Sequence, residues 1–386
     1  SVRRAGSQLA ITAQLIQVTD RTLLWAESYE RELADVLAIQ REVANRVASS
    51  LDLILLPAER AKLTRPAPVN PEAFDAYLKG RFYWNKRDLA KGIVFFEQAI
   101  AIDPGYASAY AGLANTYALL GSTPYDVLAP QEAVPKQKEM AERALALDRS
   151  LAEAHAALAH AALFYDWNWG KAEAAFLSAL EHNPNYATAH QWYADYLWVA
   201  GRPDEALTHL QRALELDPAS IVIRLHIGRH YYLLRQYNEA LPRFQETIEM
   251  DPNFFLGHFD LGLVYMQIGR YEDAIAEMQV AVRLLPGSPF CLAALGYAYG
   301  HGGRDADARR VLGQLEELSR DRPVQPLYVA SVYTSLGEND LAFEWLERAL
   351  RERSTYLAYV NIEPIFDPLR SDPRFQSLLR RMNFPE

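Results

Sequence analysis

Residues 253–286 read NFFLGHFDLGLVYMQIGRYEDAIAEMQVAVRLLP, and this stretch decides the fold. It closes on Pro286, and Pro252, Pro218 and Pro184 precede it at steps of 34 residues. Inside it, small Gly262, Ala274 and Ala281 stand where the two helices of a hairpin would cross, and Leu261, Tyr265 and Met278 supply bulk. Small residues let two helical backbones approach, and large ones fill the space beside them. Gly269 follows the first helix, where a left-handed end is cheapest for glycine.

Working outward, the unit closing at Pro252 places Ile227, Gly228, Tyr231, Ala240 and Phe244 in the same slots. The one closing at Pro218 places Tyr193, Ala194, Leu197, Ala206, Leu210 and Ala213 there. Pro104 closes a first unit containing Gly80, Tyr83, Phe96 and Ala99. Between it and Pro184 lie two more, one enlarged over 122–132, where Pro124, Pro130 and nearby Pro135 speak against a continuous helix. Beyond Pro286 come Leu295, Gly296, Tyr299 and Ala308, then Ala330, Tyr333, Ala342, Leu346 and Ala349. Gly121, Gly201, Gly269, Gly303 and Gly337 share the turn position. Second helices end at Asp103-Pro104, Asn183-Pro184, Asp217-Pro218 and Asp251-Pro252, since proline cannot extend a helix.

Period, small positions, aromatics and prolines together resemble the tetratricopeptide-repeat family. The expected fold is mainly all-α, an α-solenoid of eight helical hairpins over residues 72–354, with 355–386 as a capping segment in which Phe366 to Met382 reads as a final helix and Asp372-Pro373 as a suitable start for it. Residues 1–56 read differently. Leu9 to Ile16 partly alternates, Leu24 to Tyr29 is a second strand-like run after a turn at Thr19 to Thr22, and a helix from Asp35 to Leu55 carries Val36, Ile39, Val43, Val47 and Leu51 on one stripe. So little sheet points to a truncated α/β segment. Ser1 to Gly6, Ile11 to Leu15 and Leu24 to Glu27 resemble the end of the TolB-like domain of bacterial multidomain signalling proteins, whose other modules include winged helices, nucleotide cyclases and Ser/Thr kinases. Residues 57–71, with Pro57, Pro66, Pro68 and Pro71, form a linker by composition.

Composition narrows the function classes. Thirty-nine Lys and Arg stand against 49 Asp and Glu, so the charge of −10 offers no general attraction to nucleic acid or to an anionic membrane. The one cysteine, Cys291, excludes an internal disulfide and thiolate-rich metal sites. The apolar run Leu51 to Leu56 is far too short to span a bilayer. The segment reads as soluble, the cytoplasm favoured and the periplasm open to a parent with an upstream membrane helix.

The resemblance implies a non-catalytic scaffold that binds a peptide or protein partner along the concave surface of the first helices. That geometry puts Phe74, Tyr77, Arg81, Trp84, Asn115, Phe164, Tyr165, Gln191, Trp192, Asp195, Trp198, Arg229 and Tyr232 at the groove, an aromatic composition that suits binding hot spots. The same aromatics could equally pack neighbouring repeats. The Lys and Asn pattern of the family's carboxylate clamp is missing from these positions. His226 and His230 have metal-compatible spacing but no third ligand nearby, and His155 and His160 do not face one another well. Gly296, Gly300, Gly302 and Gly303 follow a helix without a Lys-Ser or Lys-Thr, so they mark a helix end. Glu205, Glu239 and Asp273 suit the starts of second helices. No catalytic motif is present, and no cofactor or metal is expected. The Phe164 to Trp169 cluster either forms a partner patch or seals a lengthened turn. Two further readings are a regulatory region of a kinase or cyclase whose catalytic domain lies upstream of Ser1, and an array that self-associates through its convex face or its ends.

Overall fold

A computed structural model describes residues 2–5, 8–16, 23–32, 42–43 and 70–384. Val2–Ala5 (β1), Gln8–Ile16 (β2) and Leu23–Glu32 (β3) form an antiparallel sheet in the order β1-β2-β3, with Ile11 opposite Tyr29. The turn expected at 19–22, nearly all of the helix expected at 35–55 and the linker up to 69 lie outside the described residues.

From Pro71 onward the chain folds into eight antiparallel hairpins. They pair α1 (Pro71–Asn85) with α2 (Leu89–Ile102), α3 (Ala107–Leu120) with α4 (Pro130–Leu147), α5 (Ala152–Ala161) with α6 (Trp169–His182), and α7 (Ala187–Val199) with α8 (Pro203–Leu216). The next four pair α9 (Ile221–Leu233) with α10 (Tyr237–Met250), α11 (Phe255–Gln267) with α12 (Tyr271–Leu284), α13 (Pro289–His301) with α14 (Asp305–Leu318), and α15 (Pro326–Ser335) with α16 (Asn339–Arg351). The α-solenoid architecture is as the period implied.

The small slots are needed. A Cβ on Gly228 would stand 2.6 Å from the Phe244 ring, and one on Gly262 would meet Met278 at 2.8 Å. The Asp/Asn-Pro closures work through the side chain as well as the proline: Asp103, Asn183 and Asp251 each accept the N–H of the residue two further on, at 2.9–3.1 Å. Left-handed residues end the first helices at Gly201, Gly269, Gly303 and Gly337, and Arg87, Trp167 and Arg235 take that conformation in three other hairpins. Gly121 differs: its φ is −93°, because the chain runs on into the enlarged turn, and its lack of a side chain admits Ala133 instead. Pro135 sits inside α4 rather than breaking it. The Phe164 to Trp169 cluster follows α5 through a π-turn at Ala162–Asp166.

An open solenoid would solvate one face of its first helices. Here α7 is buried without a break from Ala189 to Val199, while its partner α8 buries only Ala206, Leu210 and Ala213. The cause is the chain's own C-terminal end. After α16, residues 354–369 form 3-10 turns at Thr355–Tyr359 and Pro364–Leu369 that cross the inner wall as a strap, and the last helix, α17 (Pro373–Arg381), is shorter than the expected 366–382. Tyr359 packs on Phe164 at 5.5 Å between ring centres, Arg353 lies 4.4 Å over Trp167 and donates to the Tyr165 carbonyl, and Trp169 Nε1 donates to the Met382 carbonyl at 3.1 Å. The Trp cluster is thus a docking floor for the strap. The ring closes where Asp126 of the enlarged turn accepts hydrogen bonds from Gln325 and Tyr328, and Thr123 Oγ1 meets Tyr328 Oη at 2.8 Å.

Candidate functional site

What the strap leaves uncovered is a cavity of about 450 Å³ walled by the first helices of hairpins one to seven, by the enlarged turn and by Thr355, Tyr356 and Tyr359. A smaller one of about 220 Å³ adjoins it through Trp84, Asn85, Ala187, Thr188 and Asp217.

The repeat places several side chains of each central hairpin on this wall, since equivalent positions of stacked first helices share a face. Asp195 of α7 is 4% exposed, and its Oδ1 lies 3.6 Å from His226 Nε2 with no hydrogen-bond partner among the described residues. Burial pushes its carboxyl up to about 8. His226 Nδ1 lies 2.9 Å from the Val222 carbonyl, which can only accept, so that nitrogen carries the proton and Nε2 is an acceptor facing Gln191 Nε2 at 3.3 Å. Burial pulls the His226 imidazole down to about 4.

Arg229 of α9 is the hub of the opposing charge. It donates to Asp260 Oδ1 at 2.6 Å, to Tyr356 Oη at 2.5 Å and to Glu363 Oε2 at 3.2 Å. Asp260 is 1% exposed, is pushed up to about 6 by that burial against the pull of Arg229, and its Oδ2 has no partner among the described residues. From the first hairpin, the Arg87 guanidinium stacks 4.6 Å over the Trp84 ring, and its Nε and Nη1 and Trp84 Nε1 are buried without partners among the described residues.

Of the groove residues expected from the sequence, Trp84, Phe164, Gln191, Trp192, Asp195 and Arg229 line the larger cavity. Tyr77, Arg81, Trp84 and Asn115 line the smaller one, where Arg81 Nη1 donates to Tyr77 Oη at 3.0 Å and Asn115 Nδ2 to Tyr186 Oη at 3.2 Å. Four lie elsewhere, the first being Phe74, which packs against the Ala73, Ala76 and Tyr106 cluster and reaches neither cavity. Trp198 packs inside the stack with its Nε1 on His230 Nδ1 at 3.2 Å, Tyr232 is covered by the strap, and Tyr165 reaches neither cavity. His226 and His230 accordingly turn to different partners. Sequence reasoning missed Arg87, Asp260, Tyr356 and Tyr359 as lining residues; equivalence to Trp192 and His226 along the 34-residue repeat could have found Asp260, but nothing local marks the strap tyrosines.

Among the described residues no helix is long and apolar enough to cross a membrane. Over 116 residues, 29% of this chain, the sequence is 34% identical to a Rhizobium meliloti (strain 1021) protein described as adenylate cyclase 3, of which the match covers 20%. Solved structures that resemble the chain include Pseudomonas aeruginosa pilF, 18% identical with a TM-score of 0.39 over 55% of this chain and 94% of that one. A thermophilic TPR protein of Thermus thermophilus is 23% identical with a TM-score of 0.38 over 50% of this chain and 99% of that one. YrrB, a TPR protein with an unusual peptide-binding site, is 21% identical with a TM-score of 0.31 over 48% of this chain and 94% of that one. Tetratricopeptide-repeat family models match residues 76–106, 162–221 and 225–289. With hairpins of the right length, small-to-large crossings and Asx-Pro closures in those stretches, the chain carries tetratricopeptide repeats.

Proposed function

We propose that this chain is a non-catalytic binding module of a bacterial signalling or transcriptional regulator, one that receives a guest in the inner cavity and couples its occupancy to an output domain of the parent protein. The observation that carries this reading is the 450 Å³ cavity on the inner face of the repeats, a size at the small end of the roughly 300–1,000 Å³ typical of ligand sites. Because the strap already covers the wall at Tyr232, the room suits a chain end or short segment of a partner protein rather than a helix laid along the whole groove. Trp84, Gln191, Trp192, Asp195 and Arg229 are its contacts, and Tyr77, Arg81 and Asn115 extend them into the adjoining cavity.

In this reading residues 72–354 are the repeats, 355–386 close them, 57–71 link them to the N-terminal segment, and 1–56 end a TolB-like domain. The module needs no cofactor and contacts neither nucleic acid nor membrane. A second reading, favoured by the match to the Rhizobium protein, makes it the regulatory region of a nucleotide cyclase.

A peptide array probed with this chain tests the site. Trp84→Ala and Gln191→Leu, each confirmed folded by circular dichroism, are expected to abolish capture of the peptides the parent chain selects. Capture unchanged in both variants would remove the cavity as the binding surface.

A further inference from the structure

The large cavity holds two sets of buried polar atoms with nothing to bond. Asp195 Oδ1 and Asp260 Oδ2, from hairpins four and six, are acceptors without a donor among the described residues. Arg87 Nε and Nη1 and Trp84 Nε1, from hairpin one, are donors without an acceptor among the described residues. Leaving such groups buried and unpaired costs about 1–3 kcal/mol each. These two sets line one chamber and do not satisfy each other. A guest that donates at one place and accepts at the other would satisfy both.

We propose that the cavity binds a small zwitterion of the amino-acid or dipeptide class, its ammonium on Asp195 and Asp260 and its carboxylate on Arg87 and Trp84. This rests on the reading that the cavity is the guest site, and it names the guest. Charge-assisted hydrogen bonds to ammonium and carboxylate are the strong kind, and the permanently charged Arg87 guanidinium offers Nε–H or Nη1–H to a carboxylate oxygen, with Trp84 Nε1–H as a second donor. An isolated ammonium or carboxylate would be expensive to bury here, whereas each end of a zwitterion meets its opposite charge. Phe164, Trp192, Tyr356 and Tyr359 supply apolar walls for a side chain between the two ends. In the empty cavity burial keeps Asp195 protonated at neutral pH, so an arriving ammonium displaces that proton to solvent.

Calorimetry and the fluorescence of Trp84 and Trp192 test this on the 386-residue chain. The probes are the free amino acids and glycyl-leucine, together with N-acetyl and C-amide counterparts of whichever binds. Free forms are expected to bind, and either cap to weaken binding by about tenfold or more. Asp195→Asn is expected to lose discrimination against the N-acetyl form and Arg87→Gln against the amide, each unfolding cooperatively as the parent does. Capped and free forms binding alike, or 1,5-diaminopentane binding as tightly as any zwitterion, would overturn the ligand class and leave the cavity as guest site. Failure of every small probe also overturns the ligand class. If array peptides then bind without regard to Trp84→Ala and Gln191→Leu, the cavity reading falls with it.

Discussion

The phenol of Tyr232 donates to Glu363 Oε1 at 2.8 Å across 131 residues of sequence, and both groups are buried. Tyr356 Oη donates to the same carboxylate at 2.5 Å, and Arg229 pairs with it at 3.2 Å, so one acid on the strap gathers three donors. This network joins the C-terminal segment to the fifth hairpin and covers the inner wall there.

Removing that acid should be costly. Glu363→Ala leaves two phenols and part of the Arg229 guanidinium unpaired in the interior, and broken buried pairs typically cost about 3–5 kcal/mol. Urea unfolding should show this loss, while Tyr232→Phe should cost only about 1–2 kcal/mol. The double variant should lose less than the sum; strict additivity would mean the two groups do not interact.

Stability should fall as pH rises from about 6.5 to 8, and Asp195 sets that window. Its carboxyl is held up near 8 in the fold, facing Gln191, His226, Arg229 and Tyr359, but titrates near 4 when unfolded, so the unfolded state binds fewer protons between those values. The slope is about 1.4 kcal/mol per pH unit, or about 2 kcal/mol over this window, and Asp195→Asn should remove it. Below pH 6.5 the sign is opposite for His160, His209 and His226, which burial holds down to about 3, 4 and 4, so their contribution is lost as pH falls, and it is offset by Asp126 and Asp260, both raised to about 6 with the same sign as Asp195. Thermal melts across the range check both limbs.

Cys291 should be inert. It is fully buried in α13 and burial pushes its thiol up to about 12, so almost no thiolate forms at neutral pH. A thiol-reactive disulfide reagent should label it only at the rate of unfolding. Fast labelling of native protein would contradict this packing.

Two glycines should respond differently to alanine. Gly228→Ala drives a methyl into the Phe244 ring and should cost about 1–3 kcal/mol by overpacking. Gly201→Ala meets open space, and its cost, about 1 kcal/mol, comes only from the left-handed backbone at φ +70°. Equilibrium unfolding separates the two.

Half of the candidate site was legible because the repeat itself carries it. Asp195 and Arg229 hold the same proline register on α7 and α9, and Gln191 lies one turn before Asp195, so their inward placement follows from helix periodicity and the proline register; Trp84 shares its register with Trp198 and Tyr232, so the register does not single it out. Trp198 and Tyr232 belong to the same kind of helix but not to the site. Trp198 turns against His230, and Tyr232 meets a strap that comes from more than a hundred residues away.

The local rules written into the chain therefore determined the eight hairpins: their 34-residue period, their small-to-large crossings, their turns and their Asx-Pro closures all act between residues near in sequence or one repeat apart. Tertiary structure alone decided that the inner wall is not left open. Whether Asp126 meets Tyr328, or Glu363 meets Tyr232, depends on how small rotations between neighbouring hairpins accumulate around the stack. That sum brings distant side chains together without any pattern in the residues between them.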